Sequence, residues 1–136
     1  MVDCNNSDLG SGALAVLDAA CMAELRALDP DGKAQLVRRV LATYRDSLAR
    51  LAEQLRRARA DAAWDHVARI VHTLKSSSAS VGALALSSLC ADIERRLRLD
   101  GDHAGAQPLL ESFLAEAGRV DAAVARELDH LETADS

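Results

Sequence analysis

Apolar residues return every three or four positions through most of the chain, and nowhere do they alternate singly as a half-buried strand requires. Over residues 13–28 the repeat falls on Leu14, Leu17, Cys21, Leu25 and Leu28, which predicts a short first helix. It stops at Asp29-Pro30-Asp31-Gly32, where Asp29 can cap the next helix and Pro30 can take its first position. A second helix, running to about residue 60, carries Leu36 or Val37, then Val40, Leu41, Tyr44, Leu48, Leu51 and Leu55 on one stripe. Asp61 is the expected N-cap of a third helix over 62–81, with Trp64, Val67, Ile70, Val71, Leu74 and Val81 on its apolar face. Gly82 suits the left-handed position after a helix end. A fourth helix turns Leu86, Leu89, Cys90, Ile93 and Leu97 inward and closes at Asp100-Gly101-Asp102. The fifth starts between Asp102 and Gln107, because Pro108 is expected only in a first turn, and its stripe runs from Leu110 through Phe113, Ala117, Val120, Val124 and Leu128 to Leu131.

One short helix and four long ones with brief connections predict an all-α fold, an antiparallel up-down four-helix bundle with an additional short N-terminal helix. Residues 1–12 are polar and glycine-containing and are expected to be a flexible lead-in, 13–133 to form the bundle, and 134–136 to fray. Composition agrees with helices. The chain is 49% hydrophobic, too rich for disorder, yet only 2% aromatic, so Leu, Val, Ile and Ala must fill the core. No apolar run is long enough to span a bilayer and the N-terminus lacks a basic start before an apolar run, so the expected setting is cytoplasmic.

Charge narrows the function further. The formal net charge is −5 with both signs interspersed, which argues against nucleic acid as a partner. The clusters Arg56-Arg57-Arg59 and Arg95-Arg96-Arg98 fall near helix C-termini, where the helix dipole favours cations, and read as solvated ends. Cys4, Cys21 and Cys90 lack metal-ligand spacing, so reduced structural thiols and no resident metal or cofactor are expected. Cys90 lies on an apolar stripe and reads as a small buried hydrophobe.

Residues 72–83, His-Thr-Leu-Lys-Ser-Ser-Ser-Ala-Ser-Val-Gly-Ala, concentrate unusual residue types. At ~100° per residue, Val67, Ile70, Val71, Leu74, Ser78 and Val81 centre roughly 210° from His72, which therefore points away from the core. Asp65, Arg69, Lys75, Ser76 and Ala79 share its side. A surface histidine on a helix is ordinarily just that. Here Lys75 stands one turn on, while Ser76 and Ala79 keep the neighbouring surface low enough for another protein to approach. An imidazole nitrogen is a competent nucleophile toward phosphorus near neutral pH, and Lys75 could neutralise a phosphoryl group placed there. Around His72 there is no Ser–His–Asp set, no paired-carboxylate pattern, no phosphate loop and no second His at i+4. A partner must supply the rest of any reaction.

The stretch resembles the histidine-containing phosphotransfer (HPt) family of two-component phosphorelays, whose pattern is His, any residue, Leu, Lys, usually Gly, several small residues, then an apolar residue, Gly and Ala. His72, Leu74, Lys75, Val81, Gly82 and Ala83 match it, and Leu89, Glu94 and Arg95 look like the family's next helix. The resemblance covers about residues 14–132 and implies the bundle fold. It implies that His72 accepts a phosphoryl group from the aspartate of one response-regulator receiver domain and passes it to another, that Lys75 helps hold the group, and that Mg²⁺ sits on the receiver. A hybrid sensor histidine kinase is a further implied partner, and the chain itself is expected to be a monomer without kinase activity.

Ser76 departs from the family's usual Gly, and its hydroxyl can either bond the ring or phosphoryl oxygens or bond back to its own helix. An apolar rim for docking is expected from Ala68 and Ala79, with Leu14, Val16 and Leu17 from the first helix, and Arg69 and Gly82 are expected in the same partner-binding surface. Two other readings of the motif stand beside the relay. One is a helical docking module that binds a signalling protein without chemistry, and the other is the C-terminal HPt domain of a hybrid sensor kinase.

Overall fold

The repeat of three and four does produce helices, and only helices, among the described residues. The computed structural model describes residues 16–28 and 35–135, with side chains through residue 131. They form five helices, named here α1 (Ala19–Ala27), α2 (Gln35–Ala60), α3 (Trp64–Ser80), α4 (Leu84–Arg98) and α5 (His103–Asp135). Neighbouring pairs α2–α3, α3–α4 and α4–α5 pack together, and α5 packs back on α2, so the long helices close a ring around one core. At its centre Leu41, Leu48, Leu55, Leu74, Leu86, Ile93, Leu110 and Phe113 are almost wholly removed from water. Truncating one such Leu to Ala removes contacts worth about 2–5 kcal/mol, which is why the stripe fixes which face each helix buries.

The helix ends hold most of the departures from the sequence expectation. The first helix does not run through 13–28 as one piece. Val16 and Leu17 form a bend, and α1 starts after Asp18, whose carboxylate accepts from the Cys21 N–H at 3.0 Å. That aspartate is an N-cap signal that outranks the apolar repeat around it. Cys21 is disulfide-bonded, which corrects the expectation of a reduced thiol there, because sequence spacing says nothing about which sulfurs meet. Cys90 is free and buried, and burial pushes its thiol up to about 12, in line with a small hydrophobe. The expected lead-in over 1–12, Leu14, and the Asp29-Pro30 start of the second helix lie outside the described residues.

Asp61 does not cap α3. Residues 61–63 instead close α2 in a Schellman turn, with the Ala63 N–H on the Ala58 carbonyl at 2.8 Å and the Ala62 N–H on Arg59 at 3.1 Å. Ala62 takes the left-handed position at φ 54, a conformation that costs a residue with a Cβ about 1–2 kcal/mol. The same motif ends α3, with Ala83 N–H on Ser78 O at 2.8 Å and Gly82 N–H on Ala79 O at 3.1 Å, but there glycine fills the left-handed place at φ 82. A Cβ on Gly82 would stand 3.0 Å from Cys21 Cβ and 3.1 Å from the Asp18 nitrogen, so the glycine also lets α1 seat against the α3–α4 turn. The Asp18 N–H completes the seat by donating to the Gly82 carbonyl at 2.8 Å.

Pro108 sits in the second turn of α5, beyond the first turn expected for it. The helix starts early because Asp102 accepts the Gly105 N–H at 2.8 Å, and the bond that Pro108 forgoes is to exposed Ala104, where water can replace it.

One polar pair crosses the core. The Tyr44 hydroxyl of α2 and the Ser78 hydroxyl of α3 lie 2.8 Å apart, both buried. Burial pushes the Tyr44 hydroxyl up from its ordinary 10.0 to about 12, against a weaker opposing effect of the Ser78 hydrogen bond. An acid whose folded value is raised contributes stability that is present below its unfolded value and lost above it. Stability is thus expected to fall by about 2–3 kcal/mol from this group as pH climbs from 10 towards 12. Tyr44→Phe, which leaves Ser78 unpaired, is expected to cost about 1–3 kcal/mol at pH 7. Urea unfolding of both proteins should show that gap narrowing above pH 10, with ionisation of this single tyrosine followed by ultraviolet absorbance.

Candidate functional site

The face of α3 opposite its buried residues is where the structure gathers chemistry. Val67, Ile70, Val71, Leu74 and Ser78 are buried, and His72 projects the other way with 58% of its side chain exposed. Lys75, one turn on, is 37% exposed. Across from them on α4, Glu94 follows the buried Ile93, and its side chain is only 12% exposed.

Glu94 ties the face together. Its Oε2 lies 2.7 Å from His72 Nδ1 and accepts from Arg98 Nη1 at 2.8 Å, while its Oε1 accepts from Lys75 Nζ at 2.9 Å. Burial by itself would raise the Glu94 carboxyl. The hydrogen bonds from Lys75 and His72 outweigh it and hold the group below its ordinary 4.5. An ionised carboxylate can only accept, so His72 Nδ1 carries the proton and donates it. The lone pair of the neutral ring is then on Nε2, the nitrogen that Glu94 does not engage. The arrangement presents a ring nitrogen with its lone pair at the surface and two cations gathered beside the ring.

Backbone contacts hold these side chains in register. Ser87, in the first turn of α4, donates to the Lys75 carbonyl at 2.8 Å, tying the working turn of α3 to its neighbour. Along α3, Thr73 donates to the Arg69 carbonyl at 3.2 Å, Ser77 to Thr73 at 3.3 Å and Ser80 to Ser76 at 3.0 Å. Ser76 is exposed, and among the described residues its hydroxyl does not bond back in this way.

Arg69 is exposed and Ala79 half-buried on the His72 side, as their helical positions require. Ala68 is not on that surface. It is 3% exposed, because it lies next to Val67 on the broad face that α3 sinks into the bundle. Gly82 is buried as well, covered by Asp18 and Cys21 where α1 sits on the turn, so neither residue is available to a partner as expected. Val16 and Leu17 are half-buried against the core. Together with Arg26, Ala123, Arg126, Glu127 and His130 they line a groove of about 520 Å³ that contains no residue of α3. His72 therefore stands on an open face and not in that pocket.

Glu94 enters the sequence reading only as part of the family's next helix, with no place in the His72 site. The signal is faint but present, an acid immediately after Ile93 and four residues past Cys90, at the border of a buried stripe. Only the packing of α3 on α4 decides that this border faces His72.

A family model described as the Hpt domain matches residues 39–134, which include the whole of α3 and α4 and nearly all of α2 and α5. No curated protein and no solved structure matches the chain.

Two measurements follow from the Glu94 geometry. A group whose folded value is depressed contributes stability that is present above its ordinary value and lost as pH falls through the folded one. The stability advantage of the wild type over Glu94→Gln is expected at pH 7 and to disappear as pH drops below 4.5, measured by urea unfolding. By ¹⁵N NMR, neutral His72 should be held as the Nδ1–H tautomer in the wild type and relax to a mixture of tautomers in Glu94→Gln.

Proposed function

The chain belongs to the Hpt domain family, and on that premise we propose that it is a phosphorelay intermediate that carries a phosphoryl group on His72 between aspartates of response-regulator receiver domains. The family match supports a phosphotransfer role in two-component signalling, and we read the chain as a phosphocarrier without kinase activity of its own. The fold that accompanies this reading is an antiparallel up-down bundle of α2 to α5, with α1 added at the α3–α4 turn. The brief connections 61–63, 81–83 and 99–102 support it. No helix among the described residues is long and apolar enough to cross a membrane.

One observation carries the assignment. His72 is exposed, its Nδ1 is occupied by Glu94, and its Nε2 is left for an incoming electrophile. In the transfer step the Nε2 lone pair forms the bond to phosphorus as the bond to the aspartyl oxygen breaks, and the carboxylate leaves with that electron pair. The Nδ1 proton stays between the ring and Glu94, so the ring acquires positive charge next to a carboxylate. That stabilises the phosphorylated imidazole while keeping it a good leaving group for the reverse transfer. Lys75, held at 2.9 Å from Glu94 one turn from His72, is the cation placed to neutralise the phosphoryl oxygens by turning from Glu94 to them. The receiver is expected to bring the Mg²⁺ and the acidic pocket.

Incubation with a phosphorylated receiver domain should place acid-labile label on the wild type and none on His72→Gln. Lys75→Ala is expected to slow transfer about tenfold or more while retaining the label on His72. Equal labelling of wild type and His72→Gln would sink the assignment. Unchanged partner binding by an unlabelled His72→Gln would show that docking and chemistry are separable.

A further inference from the structure

Serine in a helix ordinarily donates its hydroxyl to a carbonyl three or four residues back. Thr73, Ser77 and Ser80 all do so on α3. For Ser76 the carbonyl four residues back is that of His72 itself, and its hydroxyl does not take it. The three hydroxyls that bond back are thus committed to the helix, and the one on the His72 side is not.

We propose that Ser76 is a phosphoryl-contacting residue whose hydroxyl donates a hydrogen bond to a non-bridging oxygen of the group carried on His72 Nε2. This rests on the reading of His72 as the phosphorylated residue. Three features place the hydroxyl for it. Residues four apart on a helix have Cβ atoms about 5–6 Å apart, so Ser76 is the His72 neighbour one turn on. Ser76 is exposed on the same side of α3 as His72, so its hydroxyl faces solvent there. The two cations gathered at Glu94 are already engaged, since Lys75 and Arg98 both donate to it at 2.9 and 2.8 Å.

A phosphoryl group arriving at Nε2 would have to draw those cations off Glu94. The Ser76 hydroxyl can turn to it without breaking a bond within the protein. No covalent bond to Ser76 forms or breaks. The effect is to favour the phosphorylated histidine relative to the phosphorylated aspartate of the partner, which a glycine at this position could not do. In this chain the departure from the family's usual residue would then set how the phosphoryl group divides between carrier and receiver.

The test is the equilibrium partition of labelled phosphoryl between a receiver domain and the wild type, Ser76→Ala, Ser76→Gly and Ser77→Ala proteins, with helix content checked by circular dichroism. Loss of one hydrogen bond to a charged group at an exposed site is expected to move the partition about three- to tenfold toward the receiver in both Ser76 variants. Ser77→Ala, whose hydroxyl is bonded to Thr73, should match the wild type. If Ser76→Ala partitions like the wild type while label still reaches His72, the hydroxyl has no such role and the relay assignment stands. If no label reaches wild-type His72, both fall together.

Discussion

A single carboxylate, Glu94, accepts hydrogen bonds from an imidazole, an ammonium and a guanidinium, and the rest of the site depends on that concentration of donors. In water such an arrangement would be loose. Here the carboxylate is nearly buried between two packed helices, so its partners are held to it by the cost of leaving a charge unpaired there. The consequence for His72 is chemical as well as positional. Donation from Nδ1 decides the tautomer, and the tautomer decides which nitrogen keeps its lone pair.

That geometry requires α3 and α4 to lie close and in one register. The short turn 81–83 brings them together, and it can be short because Gly82 adopts a left-handed conformation while leaving space for Asp18 and Cys21 of the α1 region. The Ser87 hydroxyl on the Lys75 carbonyl and the Tyr44 hydroxyl against Ser78 tie the same helix to α4 and to α2. One side of α3 is thus anchored by apolar burial and two polar contacts, and the other presents His72, Lys75 and Ser76. The anchored side determines where the working side points.

Much of this was legible from periodicity. The helical stripes, the outward direction of His72 and the helix end at Gly82 all follow from spacing, because a helix converts sequence interval into angle with little help from context. Element ends were less legible. Asp18 overrides the apolar repeat of the first helix, residues 61–63 are used to terminate α2 before they can cap α3, and Pro108 lies one turn deeper than its missing N–H suggests. Each is settled by which local hydrogen bonds compete successfully for a few backbone groups, and that competition is decided by the geometry of two elements at once. Ala68 shows the limit of the angular argument itself. A stripe read from large side chains is narrower than the face that is actually buried.

The sequence alone determined the helical class of the fold and the placing of His72 and Lys75 together on the outward face of one helix, since both depend on positions within a helix and on residue type. It could not determine the partner of His72 Nδ1. Glu94 lies on another helix, and nothing in sequence distance relates the azimuth of α4 to that of α3. Only the packed structure brings the borders of the two buried stripes face to face. The outward direction of His72 is a property of one helix, whereas its protonation, orientation and counter-charge are properties of two helices held side by side.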